Sequence, residues 1–185
     1  MVRIILIGGT AGTGKTTLAR EICNELKLSH RLGTGFIREI LRSYLDRDKF
    51  KELFTYTFRP DSQNDLINNF ELQSKIICKA INDVIKRAHN EGTSIVIEGN
   101  HLLPKFIDMK YVTDFYILSI PNELIKKRLS GNTHSKRKIT KQDFSNVLEL
   151  QSYILDVANK ENISILINNK LHGSVVEVCN KNEIH

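Results

Sequence analysis

Gly9-Thr10-Ala11-Gly12-Thr13-Gly14-Lys15-Thr16 follows the apolar run Ile4-Ile5-Leu6-Ile7 and leads into a segment with helical spacing. These eight residues satisfy G-x-x-x-x-G-K-[ST] at every fixed position. Glycines let backbone N–H groups curl around the β- and γ-phosphates of a nucleotide, which a Cβ would obstruct. Lys15 is expected to bridge the β- and γ-oxygens, and the Thr16 hydroxyl to ligate Mg²⁺. A helix opening at Thr16, with Thr17 beside it, aims its positive end at the same phosphates. The competing reading is a glycine-rich turn with no ligand. The strand before and the helix after favour a phosphate-binding loop.

Working outward, a chain of 185 residues reads as one domain, 1–185, with enough length for a core that needs no staples. Hydrophobic content of 41% and charged content of 26% are ordinary for a globular protein. No apolar run approaches the ~20 residues of a membrane span, so no membrane partner is expected. The N-terminus reads straight into a strand, which argues against a signal peptide. Cys23, Cys78 and Cys179 are odd in number and widely spaced, the pattern of free thiols in a reducing, cytoplasmic setting. No metal-ligand spacing involves them or the histidines.

The net charge of +6 is concentrated. Lys126, Lys127, Arg128, Lys136, Arg137, Lys138 and Lys141 fall within sixteen residues that contain no acid. Such a segment suits RNA phosphates, or the phosphates of ATP and a small anionic substrate. No RNP-type aromatic pattern or zinc-finger spacing accompanies it, so nucleic acid is the less favoured partner. Nothing in the pattern bears on oligomeric state.

Short apolar strands alternate with amphipathic helices, which predicts an α/β domain with a mostly parallel sheet. Strands are predicted at Arg3–Ile7, near His30–Leu32, at Ser94–Glu98, Phe115–Ile120 and Ile163–Ile167. Helices are predicted over Thr16–Lys27, Phe36–Leu45, Asp61–His89, from Pro121 to about Leu129, and from Thr140 to about Lys160, with a short one closing the chain. Ile37, Ile40, Leu41 and Tyr44 share one face of the second helix, with Arg38 and Arg42 on another. Pro121 suits a first helical turn, and Thr140 with Asp143 resembles a capping box. The irregular stretch 46–63 carries Phe50, Phe54, Tyr56, Phe58 and Arg59-Pro60, and is expected to cap an acceptor site.

Several residues outside the loop carry chemistry. Glu98 ends a buried strand, at the edge where open α/β sheets hold their ligands. A carboxylate there needs a cation, a donor or solvent. Glu98 is therefore expected to serve the metal through water or to take the proton of a substrate hydroxyl, with a cap or salt bridge as the plain alternative. Asn100 and His101 would line the same mouth, His101 as a carboxylate ligand or as a loop hydrogen-bonder. Arg38 and Arg42 lie one helical turn apart, and guanidinium matches phosphate and carboxylate in two-pronged geometry. Arg59 is a third candidate for the acceptor anion. Glu39 reads as a salt-bridge partner of a neighbouring arginine or as a base.

The chain resembles the P-loop small-molecule kinases, and within them the archaeal 2-phosphoglycerate kinase group. Three segments carry the likeness: Ile5 to Thr17, Gly33-Thr34-Gly35-Phe36-Ile37-Arg38-Glu39-Ile40-Leu41-Arg42, and Ile95-Val96-Ile97-Glu98-Gly99-Asn100-His101-Leu102-Leu103-Pro104. The resemblance implies a three-layer P-loop NTPase fold, nucleoside-kinase-like, with a five-stranded sheet and a short basic lid at about 128–140. It implies an ATP- and Mg²⁺-dependent transfer to a small phosphorylated acceptor. Arg128 and Arg137 would be the lid arginines over the γ-phosphate, and Asn168 would hold the adenine. Longer members of the group carry an N-terminal regulatory module, which this chain is expected to lack. Many related kinases have an Asp in a Thr-Asp pair after the second strand, where this chain has Thr34-Gly35. Either the base comes from elsewhere or the substrate sits differently. A mevalonate 3-phosphate 5-kinase activity within the group is the near alternative. More distant ones are a polynucleotide 5′-kinase and a non-enzymatic nucleotide switch. Against the switch, Glu98-Gly99-Asn100 does not give Asp-x-x-Gly, and Asn169-Lys170-Leu171-His172 lacks an acid to read guanine.

Overall fold

The computed structural model describes residues 2–60, 65–131 and 139–180. Its centre is β1 (Ile4–Gly8), every residue of which is buried. Ile4 and Leu6 enter one hydrophobic cluster and Ile5 and Ile7 the other, as a parallel strand covered on both faces requires. β3 (Ile95–Gly99) and β4 (Asp114–Ser119) flank β1, with β2 (His30–Gly33) and β5 (Ser164–Ile167) at the edges. The order is β2-β3-β1-β4-β5, and all pairings are parallel, so the sheet is more uniform than "mostly parallel".

Helices α1 (Lys15–Glu25) and α6 (Leu171–Asn180) cover one face through Leu18, Ala19, Ile22 and Val178. On the other face lie α2 (Thr34–Tyr44), α3 (Leu66–Asn90), α4 (Asn122–Ser130) and α5 (Lys141–Lys160). The result is the expected three layers. Arg3 ties early chain to late: its Nη2 donates to Asp114 Oδ2 at 3.2 Å and to the Val178 carbonyl at 3.2 Å. Among the described residues no helix is long and apolar enough to cross a membrane. Cys23, Cys78 and Cys179 are free, the first two buried.

Three elements differ from expectation. Pro121 is the N-cap of α4 rather than its first helical residue, because its ψ of 144° is extended. Helix α3 starts at Leu66, where the Asp65 side chain accepts from the Asn68 N–H. Helix α2 is rotated from its expected phase. Ile37 is buried and Leu41 half-buried, but Ile40 is 58% and Tyr44 85% exposed. The cause sits at its first turn. Thr34 packs so closely on Gly99 that a Cβ at Gly99 would overlap its hydroxyl. That contact fixes the inner face on Thr34, Ile37 and Leu41 and brings Arg38, i+4 from Thr34, inward with them.

The stretch 46–60 packs as a short cap, with a 3₁₀ turn over Lys51–Phe54 and an antiparallel bridge from Tyr56 to Arg59. Leu53 and Phe58 anchor it in the core, and residues 61–63 of the expected cap lie outside the described residues. The Thr140–Asp143 capping box is present in both directions. Asp143 also receives Arg59 in two-pronged fashion, Nε to Oδ1 at 2.5 Å and Nη2 to Oδ2 at 2.6 Å. The guanidinium is the largest influence holding the Asp143 carboxyl far below the usual carboxylate range.

Because the folded-state pKa is depressed, this stabilisation is fully present above the unfolded value of about 3.9 and is lost as pH falls below it. Asp143→Asn is expected to cost about 1–3 kcal/mol in urea unfolding. The gap from wild type should be constant between about pH 5 and 8 and should narrow below about pH 4. A gap that widens in acid would contradict the assignment.

Candidate active site

The carboxyl ends of β1 and β3 lie side by side, with Ile7 in register with Glu98 and Gly8 with Gly99. From β1 the chain enters the glycine-rich loop and α1. From β3 it enters Asn100 and His101. These segments, with the start of α2 and the cap, enclose a cleft of about 1080 Å³.

The loop has the geometry its motif demands. Gly14 takes φ +93° as N-cap of α1, and a Cβ there would come within 2.7 Å of Asn168 Nδ2. Gly9, Thr10 and Thr13 are buried, whereas Ala11, Gly12, Gly14, Lys15, Thr16 and Thr17 line the cleft. Lys15 is folded back, with Nζ donating to the Thr10 carbonyl at 2.5 Å. Burial lowers its pKa from the ordinary lysine value to about 8, with the Glu98 charge acting the other way.

Thr16 and Glu98 meet. The threonine hydroxyl donates to Glu98 Oε1 at 3.1 Å, so the two residues expected at the metal are in contact across the cleft floor. A hydroxyl and a carboxylate are hard oxygen donors, and this pair fits a divalent cation shared with phosphates. Among the described residues no cluster of three or more His, Cys, Asp or Glu is present to hold a metal by protein ligands alone. Mg²⁺ characteristically binds through one or two protein oxygens plus substrate phosphates.

Glu98 Oε1 also accepts from Arg31 Nη1 at 3.1 Å. Arg31 was not foreseen. It lies on edge strand β2, two residues before the position that pairs with Glu98, so its contact depends on strand register and leaves no local mark in the sequence.

Arg128 and Asn168 brace the loop from the far side. Arg128 Nη1 donates to the Gly12 carbonyl at 3.1 Å, and Asn168 Nδ2 to the Thr13 carbonyl at 2.8 Å. Both line the cleft beside the loop. Arg137, with Lys136 and Lys138, lies outside the described residues.

On the acceptor side, Arg38 lines the cleft and its Nη2 reaches Glu39 Oε1 at 3.3 Å. Arg42 and Arg59, expected beside it, are absent from the cleft lining and turn to partners on the protein. Arg42 Nη1 bonds both Glu39 oxygens, at 3.0 and 3.1 Å, and its guanidinium lies 4.9 Å from the centre of the Phe54 ring. Arg59 holds Asp143. Both fasten the cap rather than face the cleft.

His101 lines the cleft, as expected, and makes hydrogen bonds within the fold. It is 3% exposed, with Nδ1 3.1 Å from Thr34 Oγ1 and Nε2 3.3 Å from Gln73 Oε1. Gln73 Nε2 donates to Thr55 Oγ1 at 3.0 Å, and Thr55 Oγ1 donates to the Glu52 carbonyl at 2.9 Å. This relay joins α2, the end of β3, α3 and the cap. Burial first, then the charges of Arg38 and Lys15, lower the His101 pKa to about 3, so the ring is neutral at physiological pH. Asn100 Nδ2 reaches Thr57 Oγ1 at 3.5 Å and steadies the cap as well. Gln73 and Thr55 were missed. Polar Asn69 and Gln73, one turn apart on a face otherwise built from Leu66, Phe70 and Ile77, were the signal available.

Comparison with known proteins agrees with this geometry. The profile of the AAA domain family matches residues 5–177. The chain belongs to this AAA domain family. Its curated relatives include the 2-phosphoglycerate kinase of Methanocaldococcus jannaschii, 32% identical over 96% of this chain and 62% of that protein. The enzyme of that name from Thermococcus kodakarensis is 28% identical over 92% and 63%. The chain thus spans about three fifths of the length of these relatives. Among solved structures, shikimate kinase from Acinetobacter baumannii in complex with shikimate superposes with a TM-score of 0.63, at 14% identity, covering 97% of this chain and 92% of that one. A gluconokinase from Sinorhizobium meliloti gives 0.58 at 12% identity, over 95% and 88%. The AAA domain chain therefore shares their fold.

Lys15 offers a test independent of turnover. A lysine with a depressed folded pKa binds fewer protons folded than unfolded between pH 8 and about 10, so wild-type stability should rise across that window. Lys15→Met should abolish this rise and leave the ligand-free fold as stable or up to about 2 kcal/mol more stable at pH 7. Denaturation at pH 7 and 9.5 measures both, and an identical pH slope in the two proteins would refute the buried, charge-costly state of Lys15.

Proposed function

We propose that the chain is an ATP- and Mg²⁺-dependent kinase that transfers the γ-phosphate to a hydroxyl of a small phosphorylated hydroxy-acid, 2-phosphoglycerate first among them. The observation that carries this reading is the contact of Thr16 with Glu98 in a cleft that has the phosphate loop on one wall and Arg38 on another. The relatives named 2-phosphoglycerate kinase support the acceptor. Free cysteines favour a cytoplasmic setting.

The loop amides and Lys15 bind the β- and γ-phosphates, Lys15 leaving the Thr10 carbonyl for an anion that repays its burial better. Thr16, and Glu98 through water, would hold Mg²⁺, which when bound neutralises phosphate charge as transfer proceeds. Arg128 and Asn168 brace the loop from the side of β5; with nucleotide bound, Arg128 would serve the γ-phosphate and Asn168 the adenine. Arg137 and the basic segment around it are proposed to close over the phosphates, which would exclude water and favour the acceptor over hydrolysis.

The acceptor occupies the half of the cleft bounded by Gly33–Phe36, Arg38, Asn100 and the cap at Tyr56–Phe58. Arg38 and the first-turn amides of α2, which carry no acidic residue, attract its anionic groups. Among the described residues Glu98 and Glu39 are the two acids lining the cleft, and Glu39 is held by two arginines. Glu98 is therefore the group to take the hydroxyl proton. Neutral His101 positions Thr34 and the cap through its relay and carries no charge to the chemistry.

ATP consumption with 2-phosphoglycerate, mevalonate 3-phosphate and 5′-hydroxyl RNA side by side tests the reading. Turnover with the first supports it. Turnover with the RNA alone, or with none, overturns it. Glu98→Gln should lower kcat by about 10²-fold while nucleotide affinity changes less than about threefold. Arg38→Ala should raise the acceptor KM at least tenfold, about 1.4 kcal/mol, with little change in that for ATP. Equal changes in both KM values would remove Arg38 from the acceptor.

A further inference from the structure

We propose that Arg31 is a specificity-determining and positioning residue that exchanges the Glu98 carboxylate for an oxyanion of the acceptor, and so ties the readiness of Glu98 to acceptor occupancy. The inference rests on the kinase reading above and adds a residue to it.

Glu98 Oε1 is shared by two donors, the Thr16 hydroxyl and Arg31 Nη1, each at 3.1 Å. While the guanidinium stays there, the carboxylate that should serve a metal and a proton already has a cation. The pair is not built to last. It rests on one nitrogen, and among the described residues the remaining Arg31 donors have no protein partner. The Arg31 side chain is 35% exposed, whereas that of Glu98 is 9% exposed. Partly exposed, single-pronged pairs contribute little. The same fold shows the durable alternative in Arg59 and Asp143, where both nitrogens and both oxygens are matched.

Arg31 lines the same cleft as Gly33, Gly35 and Arg38, on β2 two residues before Gly33, where the proposed acceptor half begins. A phosphate or carboxylate entering there offers the two-pronged match that Glu98 does not provide in this pairing, and doubly charged phosphate is the stronger lure. The exchange moves no covalent bond. It transfers one guanidinium between two oxyanions and leaves Glu98 with Thr16. Its effect is order: nucleotide alone meets a Glu98 still paired with arginine, so hydrolysis without acceptor is restrained.

Two readouts test this, the first independent of turnover. Mn²⁺ affinity in the presence of ADP, followed by electron paramagnetic resonance, should be at least threefold tighter in Arg31→Gln than in wild type. Adding 2-phosphoglycerate, which has no γ-phosphate to receive from ADP, should tighten it in wild type and not in the variant. In turnover, Arg31→Gln should raise the acceptor KM at least tenfold, leave the KM for ATP within twofold, and raise acceptor-independent ATP hydrolysis at least threefold. Arg31→Lys should restore part of the acceptor KM. Unchanged Mn²⁺ affinity in Arg31→Gln, or an acceptor KM that moves no more than that for ATP, overturns the proposal. Failure of wild type itself to bind Mn²⁺ with ADP, or to consume ATP with any acceptor, counts against the kinase reading instead.

Discussion

A carboxylate drawn out of water at the end of a buried strand is the constraint on which this site depends. Glu98 cannot sit there unaccompanied, because an isolated buried charge is far more costly than any one packing contact is favourable. Its company comes from different parts of the chain: the Thr16 hydroxyl from α1, the Arg31 guanidinium from β2, and the Lys15 charge nearby. Each is delivered by parallel pairing, β1 on one side of β3 and β2 on the other. A one-residue slip in either pairing would turn the side chains to the opposite face and strand the acid.

Beside this charged floor, part of the cleft is finished by neutral groups. The relay from Thr34 through His101 and Gln73 to Thr55 satisfies polar atoms that would otherwise be buried alone, and it locks α2 and the cap to α3. Burial keeps the His101 ring uncharged beside Arg38 and Lys15, where an imidazolium would add to a concentration of positive charge. Buried polar networks of this kind specify a single geometry more than they add stability.

Much of this was legible in the residues. The loop motif located β1, α1 and Thr16, because its spacing encodes a local backbone shape, and the end of an apolar strand located Glu98 beside it. The capping box at Thr140 and Asp143 was readable for the same reason. Legibility fell where the answer depended on neighbours distant in the chain. The phase of α2 follows from Thr34 docking on Gly99, sixty-five positions away, and the apolar pattern of Ile37, Ile40, Leu41 and Tyr44 pointed to a different face. Arg42 and Arg59 have the chemistry of anion ligands, but Glu39 and Asp143 reach them first. Arg31 had no signal at all, since its partner is set by sheet register. Charge type is written locally; its counter-charge is not.

The tie from Arg3 to Asp114 and the Val178 carbonyl bears on how the protein is made. Of the five strands β1 is synthesised first yet occupies the middle of the sheet, so it waits for β3 and β4 before both flanks are covered. Its outer layer closes later still, when α6 brings Val178 onto α1. Until then Ile5 and Ile7 face only part of their eventual cover. Vectorial synthesis therefore brings the layer of α1 and α6 together after the strands they cover, and these strands are more open to aggregation until α6 has docked.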